Sequence, residues 1–292
     1  MQLSDSFSSF RRYALYEKGL QPRTTREILA ITSKLEIWSS NKRIKSISTS
    51  DIRSFLYEQK HNRLWSKKTF CNARQYLKTF FDFCIAMEYR LDNPVLGIKK
   101  PKLSKPLPRC LTKAQVKTLL LHLDTISWFN DLSARRNKAI VRTFLLSGIR
   151  LSELLDLKSN EVDLLEQTLL IKKGKGQKDR LIPIHPELSP YLKIYDKIKV
   201  RRSIYYFSSI RSDSRLTEKN LYAIFKRLQK VCGFHITPHM LRHTFGKLSI
   251  EANLNPFTLK MILGHADIST TQIYVRLGAE NIKESFQKVN LI

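Results

Sequence analysis

The chain has 292 residues, and its 52 lysines and arginines outnumber its 25 aspartates and glutamates, which gives a formal net charge of +27. A hydrophobic fraction of 42% excludes a wholly disordered chain, and the length suits two domains of ~100–200 residues. No apolar run reaches the ~18–20 residues that span a bilayer and no signal peptide is evident, so the sequence predicts a cytoplasmic protein with no membrane partner.

The positive charge is spread over both parts of the chain. Lysine and arginine exceed aspartate and glutamate by 10 in residues 1–100 and by 17 in residues 101–292. Self-repulsion on this scale is most easily tolerated when a polyanion neutralises it. A nucleic-acid duplex that contacts both parts is therefore the favoured partner, although charge alone does not distinguish DNA from RNA.

Four segments with helical periodicity predict an all-helical first domain. They cover residues 3–18, 24–39, 50–59 and 66–87. In the second segment Ile28, Ile31 and Leu35 fall on one face, as a helix packed on a core requires. Ser50 is the expected N-cap of the third segment. The aromatic residues of the fourth recur at helical spacing, which favours a role in the core over one in base stacking.

A basic, proline-rich segment follows this domain. Residues 99–109, KKPKLSKPLPR, contain three prolines and five lysines or arginines and no apolar periodicity. Such a segment cannot continue a helix and is predicted to be an extended linker. We therefore expect a helical domain at residues 1–98 and a second domain at residues 110–292.

The second domain mixes helices with a short β-hairpin. Thr112 is an expected N-cap, and an apolar helix over residues 137–147 should end at Gly148. QTLLIK (residues 167–172) and RLIPI (180–184) flank KGKGQKD, which predicts a hairpin whose second strand, containing a proline, lies at an edge. Further helices are expected at residues 217–232, 238–251, 256–263 and 270–276. The predicted fold class is mainly α with a small β-hairpin or sheet (α+β).

Four short segments of the second domain concentrate polar residues that a helical core would not need. In SGIRLSEL an arginine lies at the start of a helix, and in GKG a lysine lies at the tip of the predicted hairpin. In TPHMLRH a histidine and an arginine are three residues apart, on one face of a helix. LGH is followed nine residues after its histidine by a tyrosine. The candidate site residues are Arg150, Lys175, His239, Arg242, His265 and Tyr274.

The sequence offers little support for a metal site. The cysteines, which form no CxxC pair, are Cys71, Cys84, Cys110 and Cys232. His239 and His243 have the i, i+4 spacing of zinc ligands, but the glutamate of HExxH is missing and a cationic Arg242 lies between them.

The ordered set of candidate residues resembles the tyrosine recombinases of the phage integrase family, and within that family the short Xer-type recombinases. The matching segments are SGIRLSELLDL, KGKGQKDRLIPIH, TPHMLRHTFG, LGHADISTTQIYV and PKLSKPLPRCLTKAQV. The resemblance is strongest over residues 105–277. The helical first domain is similar in length and position to the family's core-binding domain, so the resemblance implies a core-binding and a catalytic domain that form a clamp around DNA.

The resemblance implies that Tyr274 attacks a phosphodiester and leaves a 3′-phosphotyrosyl bond and a free 5′-hydroxyl. Arg150 and Arg242, with a hydrogen bond from His265, would stabilise the charge of the pentacoordinate transition state. Departures from the family pattern are small, and Ile149 replaces a leucine that is common before the arginine.

The resemblance further implies that Lys175 protonates the departing oxygen and that His239 assists proton transfer near the tyrosine. Glu153 would orient or support the site, and His243 is expected to be a buried, hydrogen-bonded residue rather than a second catalyst. The phosphotyrosyl bond conserves the free energy of the broken bond, so no ATP, metal or other cofactor is expected.

The implied partners are a double-stranded DNA site with inverted repeats and further recombinase subunits. Two DNA sites would be held by a homotetramer, or by a heterotetramer with a related recombinase, and strands would exchange through a Holliday junction. Residues 277–292, with an apolar stripe at Ile282, Phe286 and Val289, would pack on a neighbouring subunit; the alternative is a helix folded back on its own domain. An accessory DNA translocase and association with the nucleoid are also consistent with the resemblance.

Several roles stay open. Resolution of chromosome or plasmid dimers competes with integration and excision of a mobile element, and the missing N-terminal arm-binding domain of larger integrases favours the former. A type IB topoisomerase-like relaxing enzyme would use the same chemistry without partner exchange. A non-catalytic DNA-binding regulator is disfavoured because all six positions are intact.

Overall fold

A computed structural model describes residues 1–103, 107–172, 179–199, 203–209, 214–265, 271 and 273–274 of the chain. The chain divides into two compact units, Met1–Lys105 and Pro106–Ile292, and this division falls within the proline-rich segment 99–109. No helix of the described residues is long and apolar enough to cross a membrane.

The first unit is helical, and each of its four predicted segments contains a helix. The helices are α1 (Phe7–Arg12), α2 (Pro22–Trp38), α3 (Thr49–Asn62) and α4 (Lys67–Ala86); a 3-10 turn precedes α1 and a π-helical turn follows it. The predicted cap of α3 was wrong by two residues. The N-cap is Ser48, whose backbone is extended, and not Ser50. The Ser48 hydroxyl accepts a hydrogen bond from the Asp51 amide (3.1 Å), and the Asp51 carboxylate accepts one from the Ser48 amide (2.9 Å).

Aromatic side chains form the core of the first unit, as their helical spacing predicted. Phe10, Phe80 and Phe83 are fully buried, and the Phe10 ring centroid lies 5.3 Å from each of the other two. Rings at these distances and tilts pack favourably in a hydrophobic interior. These three rings therefore serve the core and are not available for stacking on bases.

The second unit combines seven helices with a three-stranded antiparallel sheet among its described residues. The helices are α5 (Lys113–Thr125), α6 (Asp131–Ser147), α7 (Leu151–Asp156), α8 (Ser189–Ile198), α9 (Glu218–Cys232), α10 (Pro238–Glu251) and α11 (Pro256–Leu263). The strands are β1 (Val162–Asp163), β2 (Thr168–Ile171) and β3 (Arg180–Pro183), in the order β1-β2-β3. The predicted hairpin is confirmed as β2–β3, with Leu169 opposite Ile182 and Pro183 on an edge strand.

Two helices of the second unit differ from the sequence prediction. Helix α6 begins six residues earlier than expected, because Asn130 caps it by accepting the Ser133 amide at 2.8 Å. Helix α8 was not predicted at all. The predicted helix at 270–276 includes the helical residues 271, 273 and 274, and its remainder lies outside the described residues.

Three helix ends bring the candidate residues together. Gly148 ends α6 with a φ of +61°, and a Cβ at this position would lie 2.5 Å from the Phe245 ring, so both the backbone conformation and the packing require glycine. Thr237 caps α10 by accepting the Met240 amide at 3.2 Å, as predicted. Helix α11 ends at Gly264, and α10 packs against both α6 and α11.

Candidate active site

Arg150 stands at the N-cap of α7, immediately after the Gly148 turn. Its guanidinium donates from Nη1 to Glu153 Oε1 (2.7 Å) and from Nη2 to the Gly264 carbonyl (2.7 Å). The side chain is 33% exposed, so it is fixed by its partners and still reaches solvent. A guanidinium held in this way can present its free edge to a phosphate without losing much conformational entropy.

Arg180, which the sequence analysis did not select, is part of the same network. It is the first residue of β3 and donates to both carboxylate oxygens of Glu153, at 2.9 Å from Nη1 and 2.8 Å from Nη2. Burial would raise the pKa of Glu153, but hydrogen bonds from Arg180 and Arg150 and the charge of Arg180 lower it to about 2. Glu153 is therefore ionised at neutral pH. An arginine at the start of an otherwise apolar strand was the signal that could have revealed Arg180.

Arg242 is the most deeply buried cation of this network, with 3% of its surface exposed. Its Nη1 donates to the Gly148 carbonyl (2.6 Å) and its Nη2 to the Leu263 carbonyl (2.8 Å). Burial and the charge of Arg150 lower the pKa of Arg242 to about 10, so the guanidinium stays charged at neutral pH. The site thus holds a buried positive charge that a bound anion would neutralise.

Tyr274 is buried, with 1% of its surface exposed, although a tyrosine hydroxyl prefers contact with water. Its Oη lies 2.8 Å from His243 Nδ1, and its ring stacks on that of His265 with centroids 6.3 Å apart. Burial raises the pKa of Tyr274 to about 12, while the charges of Arg242 and Arg150 act to lower it. The phenol therefore lies within the electrostatic influence of both arginines.

The histidines surround Tyr274. The prediction that His243 is hydrogen-bonded is confirmed, and its partner, which the sequence did not reveal, is the Tyr274 hydroxyl. The His239 ring lies 5.3 Å from that of His243, and His265 Nδ1 is 2.9 Å from the Thr271 hydroxyl. Burial lowers the pKa of His239. The structure thus places five of the six candidate residues near one another, while Lys175 lies outside the described residues.

Gly246 in α10 makes room for the Tyr274 ring. A Cβ at this position would lie 2.8 Å from Tyr274 Cζ, which is closer than side chains pack. Gly246→Ala should therefore lower the free energy of unfolding by about 1 kcal/mol. Overpacking against the ring destabilises the protein by about 1–3 kcal/mol, and the higher helix propensity of alanine offsets about 1 kcal/mol of this loss. Urea denaturation measures this change, with Ser249→Ala on the same helix as the control. In a Tyr274→Ala background the same substitution should stabilise the protein by about 1 kcal/mol, because only the higher helix propensity of alanine then acts. Equal changes in the free energy of unfolding in both backgrounds would show that residue 246 does not pack against the Tyr274 ring.

The two histidines that face Tyr274 predict acid sensitivity. Burial lowers the pKa of His243 to about 4, aided by the charges of His239 and Arg242. Burial likewise lowers the pKa of His265 to about 4, aided by Arg242, Arg150, His243 and Arg180. Between pH 6.5 and 4 the unfolded chain binds protons that the folded chain does not. The free energy of unfolding should therefore fall over this range by about 2 kcal/mol for each histidine.

Urea denaturation at pH 7 and pH 4.5 tests this prediction. His243→Gln, which keeps a hydrogen-bonding group beside Tyr274, should remove about half of the acid-induced loss attributed to the two histidines. His61→Gln, an exposed histidine on α3, is the matched control. A profile that His243→Gln leaves unchanged would show that this imidazole does not titrate as described.

Comparison with known proteins identifies relatives of the whole chain. Residues 109–281 match the sequence model of the phage integrase family. The tyrosine recombinase XerA of Pyrococcus horikoshii is 33% identical over 220 residues, which cover 75% of this chain and 72% of the relative, and XerC of Chlamydia pneumoniae is 27% identical over 99% of this chain and 95% of its own. Among solved structures, XerH site-specific recombinase bound to palindromic difH substrate has a TM-score of 0.75 at 22% identity, covering 97% of this chain and 84% of that one.

Proposed function

The chain belongs to the phage integrase family and is a site-specific tyrosine recombinase that cleaves and rejoins DNA, and we propose that Tyr274 is the residue that attacks the scissile phosphodiester. The observation that carries this proposal is the position of the Tyr274 phenol, stacked on His265 and within the field of Arg242 and Arg150. Tyr274 Oη would form a bond to phosphorus, and the bond from phosphorus to the 5′-oxygen would break. The products are a 3′-phosphotyrosyl linkage and a 5′-hydroxyl.

The cations would act on the phosphate in this reaction. Negative charge grows on the non-bridging oxygens as phosphorus becomes pentacoordinate, and fixed donors that need not reorganise stabilise that charge most effectively. Arg150 and Arg242 are fixed by their backbone carbonyl partners, which supports this role. His265 adds a neutral hydrogen-bond donor next to Tyr274.

Proton transfer needs an acceptor for the phenol and a donor for the departing 5′-oxygen. His243 Nδ1 lies within hydrogen-bond distance of Tyr274 Oη and is placed to accept the phenol proton, a role that the sequence did not predict for this residue. His239, whose ring lies next to that of His243, assists the same transfer, and Lys175 supplies the proton to the 5′-oxygen. Because Tyr274 is buried in the free chain, DNA binding must also expose it.

The broader role follows the Xer relatives. We infer that residues 1–98 are the core-binding domain and residues 110–292 the catalytic domain, and that each contacts the duplex. We infer that four subunits, of one kind or of two, hold two sites that carry inverted repeats. The predicted exchange of residues 277–292 between neighbours concerns a segment outside the described residues. The protein acts in the cytoplasm in association with the nucleoid, and its substrate is a chromosome or plasmid dimer. A mobile element is the alternative substrate, and an accessory translocase increases the rate of exchange.

Recombination between two sites tests the function. The purified protein, incubated with a plasmid carrying two copies of the DNA site from its own genome, should release two circles without ATP or added metal. Relaxation of supercoils without such products would instead indicate a topoisomerase. Sequence-specific binding with neither product, and with no covalent adduct on a nicked duplex, would indicate a non-catalytic regulator.

A further inference from the structure

We propose that Arg180 is a positioning residue that acts through Glu153 to hold the Arg150 guanidinium ready for the scissile phosphate. The inference rests on the proposed function, since it assigns Arg150 to the phosphate. Arg180 was not among the six candidate residues. The geometry of one shared carboxylate carries the proposal.

Both oxygens of Glu153 are shared between the two arginines. Oε1 accepts from Arg150 Nη1 (2.7 Å) and Arg180 Nη1 (2.9 Å), while Oε2 accepts from the Arg150 backbone amide (2.9 Å) and Arg180 Nη2 (2.8 Å). The side chains of Arg180 and Glu153 are each only 9% exposed. A carboxylate held by a buried, bidentate guanidinium cannot rotate freely, so it fixes the orientation of Arg150.

Arg180 also contacts the end of α11, whose backbone accepts a hydrogen bond from Arg150. Its Nε donates to the Ile262 carbonyl at 2.8 Å, and its guanidinium lies 3.0 Å from where a Cβ on Gly264 would be. The Gly264 carbonyl is the acceptor of Arg150 Nη2. One side chain therefore contacts both the carboxylate and the backbone segment that together orient Arg150.

The charges give Arg180 a second effect on the phosphate. Two guanidiniums and one carboxylate have a net charge of +1, so one positive charge remains available to a bound anion. Without Arg180, Glu153 and Arg150 would form a neutral pair, and the attraction of Arg150 for the transition-state charge would weaken. Removing Arg180 should therefore impair phosphate chemistry more than it impairs DNA binding.

A purely structural role would have a different signature. Loss of a buried arginine from the core would lower stability and slow every substrate alike. Arg136 provides the matched comparison, because it is buried in the same unit and donates to the Ser208 carbonyl at 3.0 Å, outside this network.

Single-turnover cleavage of a nicked duplex tests the proposal. At saturating DNA, Arg180→Gln should cleave about 10–100-fold more slowly than wild type with little change in DNA affinity, and Arg180→Lys should recover part of the rate. Arg136→Gln should cleave within about threefold of wild type at a temperature where both variants are folded. A wild-type rate for Arg180→Gln, or equal slowing by Arg136→Gln, would overturn the proposal.

Two further readouts separate positioning from folding. A methylphosphonate at the scissile position removes a negative charge, so the penalty of Arg180→Gln should shrink to less than about tenfold. Adding Glu153→Gln to Arg180→Gln should slow cleavage no further, because the carboxylate that neutralises Arg150 is then also gone. An unchanged penalty on methylphosphonate together with additive losses would show that Arg180 acts only on the fold.

A measurement on the DNA-free protein keeps this proposal distinct from the proposed function. Nitrogen-15 NMR of the arginine side chains should show separate Nη resonances for Arg150 in the wild type and averaged ones in Arg180→Gln. If the wild type forms no covalent adduct but Arg150 loses its order in Arg180→Gln, the proposed function fails and the positioning stands. If Arg150 is equally ordered in both proteins, the positioning fails whatever the enzyme does.

Discussion

Replacing Tyr274 with phenylalanine should abolish covalent capture of DNA, lowering its rate by at least about 10⁴-fold. The substitution removes the one atom that would attack phosphorus and leaves the ring that fills the space beside Gly246 and His265. The fold should therefore persist. Loss of the hydrogen bond to His243 should cost about 1 kcal/mol of the free energy of unfolding.

A nicked suicide duplex provides the measurement. Cleavage next to the nick releases a short fragment and prevents religation, so a protein–DNA adduct that survives detergent accumulates. Tyr222→Phe, which removes an exposed phenol on α9, is the matched control and should form adduct at the wild-type rate. Adduct in Tyr274→Phe at a wild-type level would exclude this tyrosine as the nucleophile.

Arg242→Gln should have the second largest effect, with cleavage slowed by about 10³-fold. The buried guanidinium of Arg242 supplies a charge that the amide lacks, and its two nitrogens satisfy the Gly148 and Leu263 carbonyls. Leaving buried acceptors without donors should also lower the free energy of unfolding by about 1–3 kcal/mol. Activity and stability therefore fall together.

The comparison with Arg242→Lys separates these two effects. An ammonium keeps the charge but cannot donate in two fixed directions, so its rate should lie between those of the wild type and Arg242→Gln. The rates are to be measured on the suicide duplex at 15 °C, after urea denaturation has established that each variant is folded at this temperature. If Arg242→Gln cleaves at the wild-type rate while folded, the phosphate does not depend on this cation.

The helices and the hairpin were largely predictable because their signals are local. The apolar spacing of α2 and α4 and the Thr237 cap of α10 appear in the structure where the sequence placed them. The missed helix α8 carried a readable signal too, with a proline in its first turn and buried residues at Leu192 and Tyr195, three positions apart. Strand β1 is only two residues long and exists through its pairing with β2, which no local pattern reveals.

The candidate site was less predictable, because its interactions join distant parts of the chain. Ordered motifs selected Arg150, Arg242 and Tyr274, yet the contact between Arg180 and Glu153 spans 27 residues and that between His243 and Tyr274 spans 31. The burial of Tyr274 is likewise a tertiary property. Sequence motifs select candidate side chains, whereas the partners that support them come from tertiary contacts that no local pattern reveals.

Mass spectrometry of the trapped adduct identifies the residue that forms the covalent bond with DNA. After nuclease and trypsin digestion, the nucleotide remnant should lie on the peptide of residues 261–276, MILGHADISTTQIYVR, linked to Tyr274 through a 3′-phosphate. A remnant on any other residue would exclude Tyr274 as the nucleophile, and a remnant joined through a 5′-phosphate would exclude cleavage with a 5′-hydroxyl leaving group.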